Sequence, residues 1–320
     1  MLSPKVSILI PTYNYADYLD ETIQSVLDQT FSDFELIIVD NNSTDHTQEV
    51  VKRYLSDPRI SFYKNEKNLG LVGNWNRCIE YARGEFIKFL CADDKFHPRL
   101  LEKFIPIMEL YPTVSLVTSY RQTFGFYTKI LKPSFEGMQK GEKVIYECLI
   151  EGKGNCIGEP TTVMFRKSGL KVGKFDPNYI SIVDLNMWLR LLAIGDCYII
   201  PEVLSYFRLH EEQVTHARQA KNVLEEYRFY KSITTKNAYQ VDVHKLDLHK
   251  TIKRKATRCG KTMFRLVPLL LKKAQRQTFK EAAKIAFREG VVHLAFLELF
   301  KGKIDDLTNY KRDLLNKTIF

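Results

Sequence analysis

Four short runs rich in β-branched and aromatic residues alternate along the first ninety residues with segments of helical periodicity. The runs lie at 6–10 (VSILI), 34–39 (FELIIV), 59–63 (RISFY) and 85–90 (EFIKFL). Between the first two, Leu19, Ile23, Val26 and Leu27 recur at the spacing of one helix face, predicting a helix over 17–29. A second helix follows the turn NNST, capped by Ser43 or Thr44 and running to about 55, and a third spans 73–82, with Gly84 breaking the pattern. Strands that alternate with helices build a parallel sheet covered on both faces, and such sheets bind ligands outside the carboxyl ends of their strands. Residues 11–14, 40–43 and 91–94 all fall at such ends.

Further along, a helix over 98–110 precedes a strand at 114–118, and 119–160 is less regular. A strand at 161–165, a helix at 183–193 and an extended stretch at 197–200 follow, and from about 223 the chain reads as helical and basic. The expected organisation is an α/β domain over 1–220 and a mainly helical extension over 221–320. With 45% hydrophobic and 27% charged residues among 320, the chain is globular in type. Its net charge of +10 is not evenly spread: residues 251–320 hold 17 Lys and Arg against 6 Asp and Glu, leaving 31 against 32 in the rest. The α/β portion is thus close to neutral. Lysines along the extension lack the aromatic stacking platform of a nucleic-acid binder, so no nucleic-acid partner is expected. Six cysteines without a C-x-x-C pair argue against a zinc module or disulfide framework and fit a reducing, cytoplasmic setting. No secretory leader and no spanning run of about 18 apolar residues is evident.

The stretches VSILIPTYN, YLDETIQSVLDQTFSDFELIIVDNNSTDHT, NLGLVGNWN, ARGEFIKFLCADD, DLNMWLRL and IPEVLSYFRLH occur in that order between about 5 and 215. Together they resemble family 2 glycosyltransferases of the GT-A fold, a Rossmann-like nucleotide-binding sheet. The resemblance implies an inverting transfer of a sugar from a nucleoside diphosphate donor, with a UDP-sugar expected, to a glycan or lipid-linked acceptor in surface polysaccharide assembly. It also implies a role for each matching residue. Pro11, Thr12, Tyr13 and Asn14 form the base-binding segment, with Tyr13 packing against the ring, and Asp40 accepts a hydrogen bond from the base. Asn76 lies in a donor-side block where the family often carries an arginine. Asp93 and Asp94 match the metal-binding acids, Asp94 touching the ion and Asp93 the ribose or the ion; Mg²⁺ or Mn²⁺ suits such oxygens. Cys91 stands where an acid is commoner, and a neutral thiol is not expected to bind a hard cation. His210 is placed to contact diphosphate or metal. Asp184 corresponds to the catalytic base, and Glu159 and Trp188 lie toward the acceptor.

Each assignment has a plainer alternative. Asp40 suits a strand-end turn, Asp93 and Asp94 a helix amino terminus, Asp184 an N-cap, and Trp75 and Asn76 simple scaffold. For the whole chain, the competing function is an inactive sugar-nucleotide-binding or scaffold module, against which retention of Asp40, Asp93, Asp94 and Asp184 weighs. A nucleotidyltransferase would carry a Gly-rich loop with Arg after the first strand, which PTYNYAD lacks. The extension over 251–320, with cationic residues among Met263, Phe264, Leu266 and Val267, suits a peripheral attachment to an anionic membrane, a helical bundle or an oligomer contact.

Overall fold

The computed structural model describes residues 3–149, 155–210, 219–233 and 239. Strands β1 (Val6–Thr12), β2 (Phe34–Asp40), β3 (Ile60–Lys64) and β4 (Phe86–Phe89) lie parallel in the order β3-β2-β1-β4. Helices α1 (Ala16–Leu27), α2 (Thr47–Lys52) and α3 (Gly70–Tyr81) connect them. The apolar runs become central strands because both of their faces are covered. Ile8, Ile10, Leu36 and Ile38 join Leu19, Ile23 and Val26 of α1 in the main core, while the alternate residues Leu9 and Ile37 are buried on the other face, where α3 crosses β1 and β2.

Beyond β4 the sheet ceases to be parallel, a departure from the all-parallel expectation. Strand β9 (Met164–Arg166) runs antiparallel between β4 and β6 (Val114–Gly125), and β10 (Asp196–Leu209) lies parallel to β6. The short strands β5 (Lys95–Phe96) and β8 (Gly137–Gln139) pair with β10, and β7 (Lys129–Leu131) with β6. Helix α4 (Leu100–Leu110) packs in the main core, and α5 (Gly141–Leu149) lies against α6 (Val183–Leu192).

Two strands are much longer than their apolar runs suggest. Strand β6 continues through Ser119, Arg121 and Thr123, whose polarity masks a buried strand. Strand β10 passes Pro201 by a break in register between Ile200 and Val203, so the missing proline N–H costs no ladder bond. Helix α2 also starts later than expected. Ser43 accepts from the Asn14 amide, and its own amide donates to Asp40, so the N-cap falls at His46, with Asp45 before it receiving the Thr47 amide at 3.1 Å.

By contact density the chain divides into two compact units, 1–213 with 238–242, and 214–237 with 243–320. Of the second, helix α7 (Gln219–Ile233) is described, with Phe229 and Tyr230 buried and their rings edge to face. The basic stretch 251–320 lies outside the described residues. No helix among the described residues is long and apolar enough to cross a membrane.

At the amino-terminal edge of the sheet, Ser7 donates to Glu35 at 2.7 Å and receives the Gly84 amide at 2.8 Å, while Glu35 holds the Arg83 amide and guanidinium. A Cβ on Gly84 would fall 2.5 Å from the Ser7 nitrogen. Gly84→Ala is therefore expected to destabilise the protein by about 1–3 kcal/mol, seen as a lower urea midpoint at unchanged slope.

Candidate active site

At the carboxyl end of β1 the chain turns through Asn14, whose φ of 56° is left-handed, and at the end of β2 through Asn42, at 65°. Asparagine tolerates that geometry better than most residues. The turns hold each other: the Asn14 amide donates to Ser43 Oγ at 2.9 Å, and Thr44 donates back to Asn14 Oδ1 at 2.9 Å. Tyr13, at 42% exposure, is left with an open ring, while Thr12 is buried with its hydroxyl unpartnered. Asp40 is fully buried. Its Oδ1 receives the Ser43 amide, and its Oδ2 has no partner. A buried acceptor without a partner is costly in an apolar setting unless a ligand supplies a donor.

Beneath these turns lies a cluster of neutral amides. Asn41 donates to Asn68 and accepts from Asn65 and the Leu69 amide; Asn65 also donates to Asn74, which in turn donates to the Val39 carbonyl. Asn76 is engaged differently, bonding the Phe175 carbonyl and amide at 2.9 and 3.0 Å. Trp75 packs against Phe89 and Phe175.

After β4, Cys91, Asp93 and Asp94 bring their ligand atoms within 4.8 Å of one another. Asp94 is fully buried, accepting from the Thr161 hydroxyl at 2.5 Å and the Arg208 amide at 2.9 Å. Burial, and then the neighbouring Asp93 charge, push its carboxyl well above the usual range. Asp93 faces His210, with Nε2 3.0 Å from Oδ2, and its carbonyl receives Arg208 Nε at 2.7 Å. His210 lies against the rings of Tyr15 and Tyr18, and its buried Nδ1 has no partner among the described residues. The guanidinium of Arg208 continues to Glu21 and lies 4.3 Å from the Phe124 ring centre. Burial likewise raises the Cys91 thiol, so it stays protonated and adds no hard donor. The carboxylates of Asp93 and Asp94 are oxygen donors of the kind a hard divalent cation takes, and its positive charge would favour their ionised form.

The third part of the site comes from the segment before β9 and from α6. Asp184 lies in the first turn of α6, after Ile182 at the N-cap. Its Oδ1 accepts the Leu185 amide at 2.7 Å and its Oδ2 accepts from Asn155 at 2.8 Å. Burial raises its pKa to about 7, with the Glu159 charge adding to the effect. Glu159 acts in the same sense on Asp94 and Cys91, so its charge is felt at all three groups. It is ion-paired to Arg121 of β6. Trp188 is fully buried, and its indole N–H donates to the Gly158 carbonyl at 2.9 Å, so it shapes the 155–159 turn from behind.

Five residues shape this arrangement although the resemblance assigns none of them a role: Thr161, Lys88, Asn155, Arg121 and Arg208. Lys88 is fully buried on β4, donating to the carbonyls of Thr161 and Val163, and lies 4.8 Å from the Phe96 ring centre. Burial pushes its amine well below the usual lysine range.

Residues 7–171 match the family model described as glycosyl transferase family 2. Among curated proteins, the chain is 28% identical over 237 residues to WfaP of Escherichia coli, a UDP-Glc:alpha-D-GlcNAc-diphosphoundecaprenol beta-1,3-glucosyltransferase, covering 74% of this chain and 89% of that protein. Among solved structures, TarS of S. aureus in complex with UDP-GlcNAc superposes with a TM-score of 0.61 at 18% identity, covering 87% of this chain and 79% of that one. The mannosyltransferase PcManGT of Pyrobaculum calidifontis, in complex with GDP-Man and Mn2+, gives 0.59 at 16% identity, covering 93% and 87%. Both structures share the GT-A fold.

Two measurements check the geometry. Thr161→Val removes the hydroxyl that serves Asp94 and the Cys91 amide, and is expected to lower stability by about 1–3 kcal/mol in denaturant titration. Asp184→Asn should raise the melting temperature, and by more at pH 8 than at pH 5. The folded protein disfavours the ionised carboxylate, and that penalty grows as pH climbs from about 4 toward 7.

Proposed function

The chain belongs to glycosyl transferase family 2 and is a glycosyltransferase; from that premise we propose that it transfers a sugar from a UDP-sugar to a glycan or lipid-linked acceptor, with inversion, in surface polysaccharide assembly. The observation that carries the donor half of this reading is the buried, unpartnered oxygen of Asp40 beside the open ring of Tyr13. A pyrimidine base brings a flat face and an imide N–H, which match the ring and the acceptor. WfaP, named for a UDP-Glc donor and a diphosphoundecaprenol-linked acceptor, supports the choice of UDP and of a lipid-linked acceptor.

Asp93 and Asp94 would hold Mg²⁺ or Mn²⁺, with His210 beside Asp93 as a further donor, and the Mn2+ bound by PcManGT supports the choice of ion. When bound, the ion supplies a Lewis acid for the charge that grows on the departing diphosphate. The protein's own contribution is to orient and to move a proton. Asn155 and the Leu185 amide fix the Asp184 carboxylate, which takes the proton of the acceptor hydroxyl as that oxygen bonds to the anomeric carbon. The bond from that carbon to the diphosphate oxygen breaks on the opposite face, and the nucleoside diphosphate leaves with the electron pair. A single displacement of this kind turns an α-linked donor into a β-linked product. A base with a pKa of about 7 is still strong enough to accept the proton and is ionised in half the molecules at neutrality.

Asp184→Asn is expected to lower the transfer rate by about 10²–10⁴-fold while UDP with Mn²⁺ still raises the melting temperature. Normal turnover by this variant would remove Asp184 as the base. In the parent enzyme kcat should fall below about pH 7, since protonation removes the base. A thermal-shift screen of nucleotide sugars with Mn²⁺ tests the donor: a ligand at 100 times its Kd stabilises by about 2.7 kcal/mol. Stabilisation by purine but not uridine nucleotides would overturn the choice of UDP.

A further inference from the structure

The turn between β6 and β7 places Phe126 and Tyr127 side by side in water, at 64% and 59% exposure, with Ile130 at 47% on the strand that follows. The other large exposed apolar residues among the described ones are scattered rather than grouped so closely in sequence. The turn is not loose. Thr123 receives the Lys129 amide at 2.8 Å and donates to the Tyr127 carbonyl at 3.0 Å, bracketing it from inside. Gly125, at φ 98°, passes so close to β10 that a Cβ would lie 2.4 Å from the Leu209 carbonyl oxygen. The backbone thus holds two aromatic side chains outward, where water disfavours them.

Charge supplies the complement. From 121 to 135 the chain carries Arg121, Lys129 and Lys132 and no acid. Arg121 is committed to Glu159, whereas Lys129 and Lys132 are exposed on the hairpin. Lys132 also lies 5.0 Å from the Tyr120 ring centre, and the first acid after the turn, Glu136, bonds the Tyr120 hydroxyl. Aromatic rings flanked by lysines suit the boundary of an anionic bilayer, where the rings enter the headgroup zone and the ammonium groups meet phosphate.

Position ties the hairpin to the site. Gly125 pairs with Leu209, the Phe126 amide donates to the Leu209 carbonyl at 3.3 Å, and the next residue along β10 is His210. We propose that the 124–132 hairpin docks the enzyme on an anionic lipid surface, setting the Asp93–His210 edge of the site against the plane where a lipid-linked acceptor lies. The role given to docking rests on the acceptor reading above, but vesicle binding can be measured without it.

The test uses the full chain and vesicles of phosphatidylcholine with or without phosphatidylglycerol. A tryptophan introduced by Phe126→Trp should shift its emission to the blue with anionic vesicles and be quenched by brominated lipid. Phe126→Ser with Tyr127→Ser should weaken co-sedimentation about tenfold or more. Lys129→Gln with Lys132→Gln should weaken it about 30-fold on anionic vesicles, and much less on neutral ones. All variants should keep the thermal response to UDP with Mn²⁺. Unmoved emission at position 126, or sedimentation of the serine variant equal to that of the parent, overturns the proposal whichever other segment binds. So does a serine variant that changes only self-association, which would make the hairpin a contact between proteins. Absence of any thermal response to nucleotide counts against the donor reading and leaves the vesicle result standing.

Discussion

The hydroxyl of Thr161 is the contact on which the catalytic edge depends. It donates to the buried Asp94 and accepts the amide of Cys91, so one oxygen fixes both ends of the Cys91–Asp94 turn. Its own backbone is held by Lys88, an amine enclosed in the core with carbonyl partners. A buried lysine is unfavourable when charged, and here burial drives it toward neutrality, where it donates without bringing a full charge under the acids. From the other side, Arg208 grips the same turn through its backbone amide and guanidinium. Two distant strands, β4 and β10, thus deliver one constellation.

Much of this was legible because the acids stand at strand ends. Apolar runs identified β1, β2 and β4, and Asp40, Asp93 and Asp94 follow directly from where those runs stop. Asp184 was legible for a similar reason, sitting where helical periodicity begins. What escaped notice depended on partners far away in sequence. Lys88 lies within an apolar run, and nothing local shows that the carbonyls of Thr161 and Val163 will meet it. The second half of β6 looked irregular because Arg121 and Thr123 are polar, yet both are buried and paired, Arg121 to Glu159 and Thr123 to the Tyr127 carbonyl. Ser43 resembled a helix cap, but Asn14 and Asp40, brought near by the pairing of β1 with β2, competed for it and won. Asn155 shows no pattern at all. It matters because its side-chain Nδ2 donates to Asp184 while its Oδ1 accepts the Ile157 and Gly158 amides and closes the 155–158 turn.

The departures from the family pattern also acquire a physical meaning. Cys91 replaces an acid at a position closed over by Thr161, where a third carboxylate would add repulsion beside Asp94, whose carboxyl is already pushed up by burial and by the Asp93 charge. Trp75, which stands where an arginine is common, packs against Phe89 and Phe175, and the neighbouring Asn76 ties down the Phe175 backbone of the loop that also meets Trp188.

The amide cluster of Asn41, Asn65, Asn68 and Asn74 has one more consequence. The floor under the nucleotide-side turns is held by groups that neither titrate nor attract counterions, whereas the opposite end of the cleft rests on Asp94 and Asp184, both displaced upward by burial. The two ends therefore answer to different variables. A change in acidity alters no donor or acceptor in the amide floor, whereas it changes the charge that Asp184 carries around neutrality.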